Sequence, residues 1–299
     1  MKKLAFLLAA LGMTSVVYAE QPKLEVTYVG QEIYIENQSG NADFDEFNIF
    51  NNVGLKYGDW TFGLQAGKQW AVDFGGDGIH SSNASSANRF QMDVWKKVTD
   101  DLKLGARLRG TKDYDRWYAR WDYNNGILWS AGDVWYQSEN KADEGKRPAD
   151  TLQFEVFPIG FQYGPFKAGW FVNYVKTMGT VTENKDRDEY WEHQIRTYLT
   201  LYKGEKLTVT TDARITLSAD SDYSGTVKHR DYDDFGGRNR IYLGGSYQAT
   251  ENLSFYANYG YEFRDWRYED GTEDEYLAQE GKKSQENYQE ITIGWKYTF

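Results

Sequence analysis

The sequence contains no cysteine. Disulfides, thiolate zinc sites and cysteine nucleophiles are therefore excluded. Positive charge is also in deficit, because 45 Asp and Glu outnumber 34 Lys and Arg to give a formal net charge of −11. Such acidity argues against nucleic acid as a partner, since phosphate backbones attract Lys and Arg.

Long hydrophobic runs are missing too. After residue 19 no stretch has the roughly 18 apolar residues that a membrane helix needs, and the mean hydropathy is −0.75. Helical membrane spanning is thereby excluded, whereas spanning by β-strands is not.

Aromatic residues, by contrast, are abundant: they make up 17% of the chain, with 24 Tyr and 11 Trp. Each such ring has an apolar body and, in Tyr and Trp, a polar edge, which suits the boundary between lipid and water. The composition therefore favours a membrane-exposed surface.

The N-terminus predicts an export signal. Lys2 and Lys3 precede the apolar run Leu4–Leu11, and Val17-Tyr18-Ala19 places small residues where a signal peptidase cleaves. We expect residues 1–19 to be a cleaved signal peptide and residues 20–299 to be a single domain. An uncleaved anchor is the alternative, but the apolar run is too short to span a bilayer.

The last segment, residues 287–299, shows the organisation of the whole chain. Ile291, Ile293, Trp295, Tyr297 and Phe299 fall on one side of an extended strand, and polar residues such as Glu290, Thr292 and Lys296 fall on the other. Side chains in a strand alternate with a period of two, so one face is apolar and the other polar. This ending on an aromatic residue resembles the C-terminal signal of bacterial outer-membrane β-barrels.

Similar alternating runs recur along the chain. The long polar connections between them are predicted at residues 37–43, 75–88, 137–150, 177–188, 220–236 and 267–285. Tight turns, such as Gly58-Asp59 and Gly164-Pro165, separate the other runs. Changes of phase near Gly30 and Pro158 predict β-bulges.

These runs predict an all-β fold: a transmembrane antiparallel up-and-down β-barrel of about 14 strands, with short periplasmic turns and long extracellular loops. Residues 117–123 and 127–136 alternate poorly, so twelve strands are the alternative if they form one loop. A secreted β-sandwich is the other alternative, but its strands would rarely keep this asymmetry of turns. We expect the last strand to close the barrel against residues 24–36.

Several short motifs resemble one known family. The segment from His193 to Leu201, Asn239-Arg240, Leu253-Ser254, residues 259–262, the turn Thr99–Leu102 and the aromatic terminus are similar to the OmpG family of monomeric 14-stranded outer-membrane porins. A more distant likeness is to the oligogalacturonate porins of the KdgM type, which are smaller. The OmpG resemblance implies passive diffusion of small hydrophilic solutes and oligosaccharides through a single chain, with a gating loop between strands eleven and twelve.

The polar faces of the runs predict which side chains line the pore. The predicted lining residues are Arg107, Arg109, Arg196, Arg214, Arg238, Arg240, Arg264, Glu192, Asp212, Glu262 and Glu290. Fixed charges on a pore wall select ions, and arginines bind carboxylates. The sequence thus favours a preference for anionic, uronate-like sugars, unless these charges pair across strands and merely stiffen the wall.

The resemblance also implies a pH switch, which this sequence does not support. The histidine pair of the OmpG family aligns with Gly236 and Gln289, neither of which titrates. We therefore expect no pH gating of that kind.

Other classes of function remain open. An outer-membrane lipase or protease would need a histidine beside a nucleophile or acid. Of the three histidines, His80 and His229 are predicted in loops and His193 on a lipid-facing position, and none completes a triad. A non-conducting structural or adhesin barrel is the third class.

The remaining expectations concern location and partners. We expect an outer-membrane protein that is not an enzyme, holds no cofactor or metal and does not bind nucleic acid. The aromatic outward faces favour a monomer surrounded by lipid and lipopolysaccharide. Phe299 and its strand should be recognised by the barrel-assembly machinery.

Overall fold

The chain forms one closed antiparallel β-barrel. The computed structural model describes residues 22–37, 44–72, 87–140, 149–178, 187–223, 228–232, 238–269 and 283–299. The strands are β1 (Glu25–Glu36), β2 (Glu46–Tyr57), β3 (Trp60–Ala71), β4 (Ala87–Lys97), β5 (Leu102–Gly110), β6 (Tyr114–Asn124), β7 (Leu128–Glu139), β8 (Asp150–Tyr163), β9 (Phe166–Met178), β10 (Arg187–Lys203), β11 (Leu207–Tyr223), β12 (Lys228–Tyr232), β13 (Arg238–Gln248), β14 (Leu253–Glu269) and β15 (Lys283–Thr298). Among the described residues no helix is long and apolar enough to cross a membrane.

The barrel has 14 positions around its circumference, because β12 and β13 share the position between β11 and β14. This confirms the predicted all-β up-and-down barrel. The two weakly alternating runs are the separate strands β6 and β7, which pair along their whole length. The twelve-strand alternative is therefore wrong.

The closure of the barrel is also confirmed. β15 pairs with β1 from Tyr28 opposite Thr298 to Glu36 opposite Glu290. The C-terminal Phe299 continues this edge, since its N–H donates to the Thr27 carbonyl at 3.1 Å. Within the described ranges each strand thus pairs with a neighbour on both sides, and a sheet closed in this way can span lipid.

Short connections gather at one end of the barrel, which we call the short-turn end. Here Gly58, Gly126 and Gly164 adopt positive φ angles of 56°, 93° and 57°, which glycine tolerates because it has no Cβ. The opposite end, where β1 ends and β2 begins, is the long-loop end. One connection there is shorter than predicted, because β6 begins at Tyr114 and leaves three residues after β5.

Several strands run further than the alternation predicted. Parts of the predicted loops 177–188, 220–236 and 267–285 belong to the strands β9, β10, β11, β12, β14 and β15. His229 consequently lies on β12 and not in a loop. Residues 1–21, which include the predicted signal peptide, lie outside the described residues.

One predicted bulge is in place and the other is shifted. The register slips between Val156 and Ile159, on either side of Pro158, as expected. The slip in β1 lies between Val26 and Tyr28 and not near Gly30. Its physical reason is the Tyr28 ring, which turns to the inner face and occupies the space above Gly54, where a Cβ would lie 2.1 Å from the ring.

The two faces of the wall differ in chemistry. Exposed apolar side chains such as Leu104, Leu108, Ile241 and Ile293 cover the outside. The opposite face carries buried polar residues such as Gln91, Glu192 and Glu262. This inverts a soluble barrel and leaves the outer surface to be covered by lipid.

Candidate functional site

The inner face is identified by ion pairs that skip a strand. Arg120 on β6 reaches Asp93 on β4, and Arg240 on β13 reaches Glu290 on β15 at 3.0 Å. Side chains of next-nearest strands converge only on the concave side of a curved sheet. The charged side chains described below therefore lie inside the barrel.

The first inner network joins four consecutive strands, and we call it the β4–β7 tetrad. Arg107 Nε lies 2.7 Å from Asp93 Oδ1, and Arg120 Nε lies 2.6 Å from Asp133 Oδ1. Arg120 also bonds to Asp93, and Arg107 lies 3.7 Å from Asp133. Two positive and two negative charges neutralise each other here. The tetrad therefore contributes more to the stiffness of the wall than to its net field.

The second network, the β10–β15 network, lies across the barrel. Glu262 accepts from Arg238 Nε at 2.9 Å and from Arg240 Nε at 2.6 Å. Arg238 Nη1 extends to Glu192 at 3.0 Å, and Arg240 Nη1 extends to Glu290. The Glu192 and Glu262 side chains are only 2% exposed. Ion pairs this deeply buried hold strands together, and removal of one partner is costly.

A cluster of tyrosines and carboxylates extends this network to the barrel seam. The Tyr34 hydroxyl donates to Glu36 at 2.5 Å, and the Tyr288 hydroxyl donates to Glu290 at 2.9 Å and also bonds to Glu36. The two hydroxyl oxygens lie 2.9 Å apart. The acidic wall at β15 and β1 is thus satisfied by neutral donors as well as by Arg240.

Three of the predicted arginines make their hydrogen bonds or ring contacts with neutral groups in the described residues, although Asp212 lies near Arg214 and Glu155 and Glu192 lie near Arg196. Arg196 donates through Nε to Gln194 at 2.8 Å and lies 3.2 Å over the Phe171 ring, while Arg109 donates through Nε to Gln91 at 2.9 Å. Arg214 lies 4.7 Å over the Tyr242 ring. Aromatic faces and amides hold a guanidinium in place without cancelling its charge. These arginines therefore make their side of the wall electropositive.

Besides Arg120 of the tetrad, three further cationic residues on the inner face were not predicted. Arg89 donates to Gln65 at 2.9 Å, Arg116 donates to Gln137, and Lys167 lies 3.8 Å over the Trp129 ring. Arg89 and Arg116 stand at or just beyond the expected ends of alternating runs. Parity with Asp93 on β4 and with Arg120 on β6 would have identified them once the strand bounds were known.

Aromatic rings lie flat on the inner wall above glycines of neighbouring strands. The ring–glycine pairs are Tyr28 with Gly54, Phe50 with Gly67, Trp95 with Gly105, Trp129 with Gly160 and Gly169, Tyr242 with Gly260 and Tyr256 with Gly294. Five of these rings carry a cation on their other side: Lys296 on Tyr28, Arg89 on Phe50, Arg120 on Trp95, Lys167 on Trp129 and Arg214 on Tyr242. The wall therefore has three layers: glycine, ring and cation.

The other predicted site residues are less informative. Asp212 is half-buried on the inner parity of β11. Arg264 lies on β14 opposite Arg238, but its side chain is outside the part that the structure describes, as are His80 and Gly236. Gln289 accepts a hydrogen bond from Tyr259 on the outer face at 2.8 Å.

His193 also lies on the outer face. Its ring stacks between Trp170, at 5.8 Å, and Trp191, at 6.1 Å, and its buried Nδ1 has no hydrogen-bond partner. A catalytic histidine requires an orienting partner, which this nitrogen lacks. No group of His, Cys, Asp or Glu within the described ranges is arranged to hold a metal ion.

A closed barrel with an apolar outside and a charged inside is a transmembrane β-barrel of the bacterial outer-membrane type. No protein family model matches the chain, and no curated protein matches it. The OmpG and KdgM resemblances therefore stay predictions.

Solved structures similar to this chain are outer-membrane proteins. OmpT of Vibrio cholerae is 13% identical with a TM-score of 0.47, over 95% of this chain and 100% of that one. OprD of Pseudomonas aeruginosa is 12% identical (TM-score 0.44; 94% and 98% covered), and an anion-selective porin from Comamonas acidovorans is 11% identical (0.42; 93% and 100%). These likenesses are too distant to transfer an activity, so the fold rests on the strand pairing above.

Proposed function

We propose that this protein is an outer-membrane porin, a water-filled channel for passive diffusion of small hydrophilic solutes. The observation that carries the proposal is the inner face of a 14-position barrel, which is lined by charged and polar side chains. Side chains fill the interior of barrels of roughly eight strands, and larger barrels enclose a lumen. A polar lining makes that lumen favourable for water.

The charge of the lining favours anionic solutes, including uronate-like mono- and oligosaccharides. Arg109, Arg196 and Arg214 have neutral partners in the described residues, whereas Glu192, Glu262 and Glu290 bond to Arg238 and Arg240. The side of β4–β6 and β9–β11 therefore carries guanidinium groups whose hydrogen bonds go to uncharged acceptors, and Asp212, Glu155 and Glu192 lower its positive charge near Arg214 and Arg196. Guanidinium groups bind carboxylates in a bidentate manner.

Conductance tests the channel, and solute uptake tests its preference. Purified protein in a planar bilayer should give discrete open-channel steps, and single rather than threefold steps if one chain forms the pore. Liposomes containing the protein should swell faster in glucuronate than in glucose. A folded protein that inserts without conducting would contradict the proposal and favour a structural or adhesin barrel.

A further inference from the structure

One straight row of inner residues crosses four strands at the long-loop end. Gln91 on β4 is directly opposite Arg109 on β5, Arg109 is opposite Arg116 on β6, and Arg116 is opposite Gln137 on β7. We call this the Gln–Arg–Arg–Gln row. Like charges directly opposite each other in a sheet are destabilising, so this row needs an explanation.

The β4–β7 tetrad lies two residues deeper on β4 and β5 and four residues deeper on β6 and β7, and it provides the comparison. There Asp93 on β4 and Asp133 on β7 flank Arg107 and Arg120 and neutralise them. In the row above, the corresponding flanking positions are glutamines. Gln91 and Gln137 offer the same kind of acceptor oxygen and orient the arginines through Nε, but they carry no charge themselves. Their amide groups donate in turn to Asp93 and Glu139.

A third arginine extends the positive charge. Arg89, two residues before Gln91, donates through Nη2 to Gln65 at 2.9 Å and lies 4.4 Å over the Phe50 ring. Its Nε is buried and has no hydrogen-bond partner. Arg89 is repelled by Arg109, which is itself repelled by Arg116. Within the described residues these three guanidinium groups have no carboxylate partner.

We propose that Arg89, Arg109 and Arg116 form an oxyanion-binding site on the inner wall near the long-loop end. An arginine has more N–H donors than the one or two that are used here, and its planar fork matches a carboxylate, sulfate or phosphate group. A bound oxyanion between Arg109 and Arg116 removes their repulsion and accepts from both. The glutamines hold the forks in place, which reduces the entropy lost on binding.

The ligand class is a small solute with a carboxylate, sulfate or phosphate group. This deepens the proposed function, because it adds a discrete, saturable site to a channel with a positive wall. The site lies at the end that solutes would enter if the long loops face the cell exterior. It should concentrate anions there before they pass the neutral tetrad.

Calorimetric titration of the folded protein in detergent with D-glucuronate and with sodium sulfate tests the site. We expect saturable binding of at least one anion, and binding about tenfold weaker in R109Q and in R116Q, since charge-assisted hydrogen bonds are strong. Binding of glucuronate alone assigns the site to sugar acids, and binding of sulfate assigns it to tetrahedral anions as well. If neither glucuronate nor sulfate binds, the proposal is overturned.

The matched control is K68Q. Lys68 lies on β3 one residue from Gly67, which is opposite Arg89, but it is on the outer face, 5.3 Å from the Trp70 ring. K68Q therefore removes the same charge near the long-loop end without touching the site. Binding in K68Q should equal that of the wild type. An equal loss in K68Q and R109Q would show a general charge effect and would contradict a site.

Thermal unfolding gives a second readout. Without multivalent anions R116Q should unfold at a higher temperature than the wild type, because the Arg109–Arg116 repulsion is gone. The anion that binds in the titration should raise the wild-type unfolding temperature by mass action, and at the same concentration it should raise that of R116Q less. Conductance separates the two proposals: conduction without saturable binding overturns only the site, and binding without conduction overturns only the channel.

Discussion

At the scale of single residues, the inner wall depends on the absence of side chains at a few glycines. Gly160 and Gly169 flank Trp129, whose indole N–H donates to the carbonyls of Phe161 and Ala168 at 3.2 Å. The ring can lie flat only because neither glycine has a Cβ. A flat ring keeps the lumen wide and supports Lys167 above it.

Substitution of Gly160 tests whether the Trp129 ring needs a glycine beneath it. A Cβ at Gly160 would lie 2.1 Å from the Trp129 ring, so G160A should lower the free energy of unfolding by about 1–3 kcal/mol, the usual cost of overpacking. The control is G63A, where the new Cβ would lie 3.5 Å from Asp93 Cβ at ordinary contact distance. Urea unfolding followed by tryptophan fluorescence measures both. Equal stability of G160A and G63A would refute the packing of Trp129 against Gly160 as a source of stability.

Glu262 is the residue on which the β10–β15 network depends. It accepts from both Arg238 and Arg240, so E262L leaves two buried guanidinium groups without that acceptor. The variant should lose about 3–5 kcal/mol of unfolding free energy in the same urea assay.

The matched control for E262L lies in an exposed turn. The Lys97 ammonium beside Asp100 holds the pKa of that carboxyl below its usual value, but solvent screens both groups. D100N should therefore leave the unfolding midpoint unchanged. If D100N lost as much unfolding free energy as E262L, the buried ion pairs would contribute no more to stability than an exposed one.

At the scale of strands, the sequence predicts the parts of the strands that face lipid. It does not predict the strand extensions beyond the lipid. Alternation is strict only where one face is apolar, as in β3 and β15, and it disappears where a hairpin projects into water. The extensions of β10, β11 and β14 toward the long loops have mostly polar residues in sequence, without alternation, so they looked like loops. β6 and β7 alternated poorly because their inner faces carry Tyr118, Trp129 and Trp135.

The inner site was only partly predictable for the same reason. Parity placed Arg107, Arg109 and Arg240 on the polar face. It could not show that Arg107 would pair with Asp93 while Arg109 would meet Gln91, because the partners depend on register between strands. Register is set by turns and bulges that a single sequence locates only approximately.

The closing strand gives a prediction at this scale. Phe299 donates its N–H to Thr27 and packs its ring 5.2 Å from that of Tyr297. Its deletion should reduce the amount of folded barrel in the outer membrane, because the terminal aromatic is the expected signal for the assembly machinery. Barrels that do fold should conduct as the wild type does. T298S serves as the control, and normal assembly of the deletion variant would contradict the prediction.

At the scale of the whole molecule, charges are divided between walls. The seam around β15, β1 and β2 carries Glu36, Glu46 and Glu290, while β4–β6 and β9–β11 carry arginines on amides and rings. In the proposed channel the acidic wall is satisfied by tyrosine and arginine donors, whereas arginines of the basic wall bond to uncharged glutamine acceptors. That asymmetry is the physical basis for expecting anion preference.

The positions predicted for a pH gate hold residues that do not titrate. The predicted resemblance to the OmpG family aligns its histidine pair with Gly236 and Gln289, and Gln289 contacts Tyr259 on the outer face. Single-channel records should therefore show no closure between mildly alkaline and mildly acidic buffer. A reversible closure over that range would mean that other groups gate the channel.

The most direct measurement of the central claim is the reversal potential of the protein in a planar bilayer across a potassium chloride gradient. A positive wall of Arg109, Arg196 and Arg214 predicts selectivity for chloride, and the double variant R196Q/R214Q should shift the reversal potential toward potassium. Potassium selectivity of the wild-type channel would contradict the account.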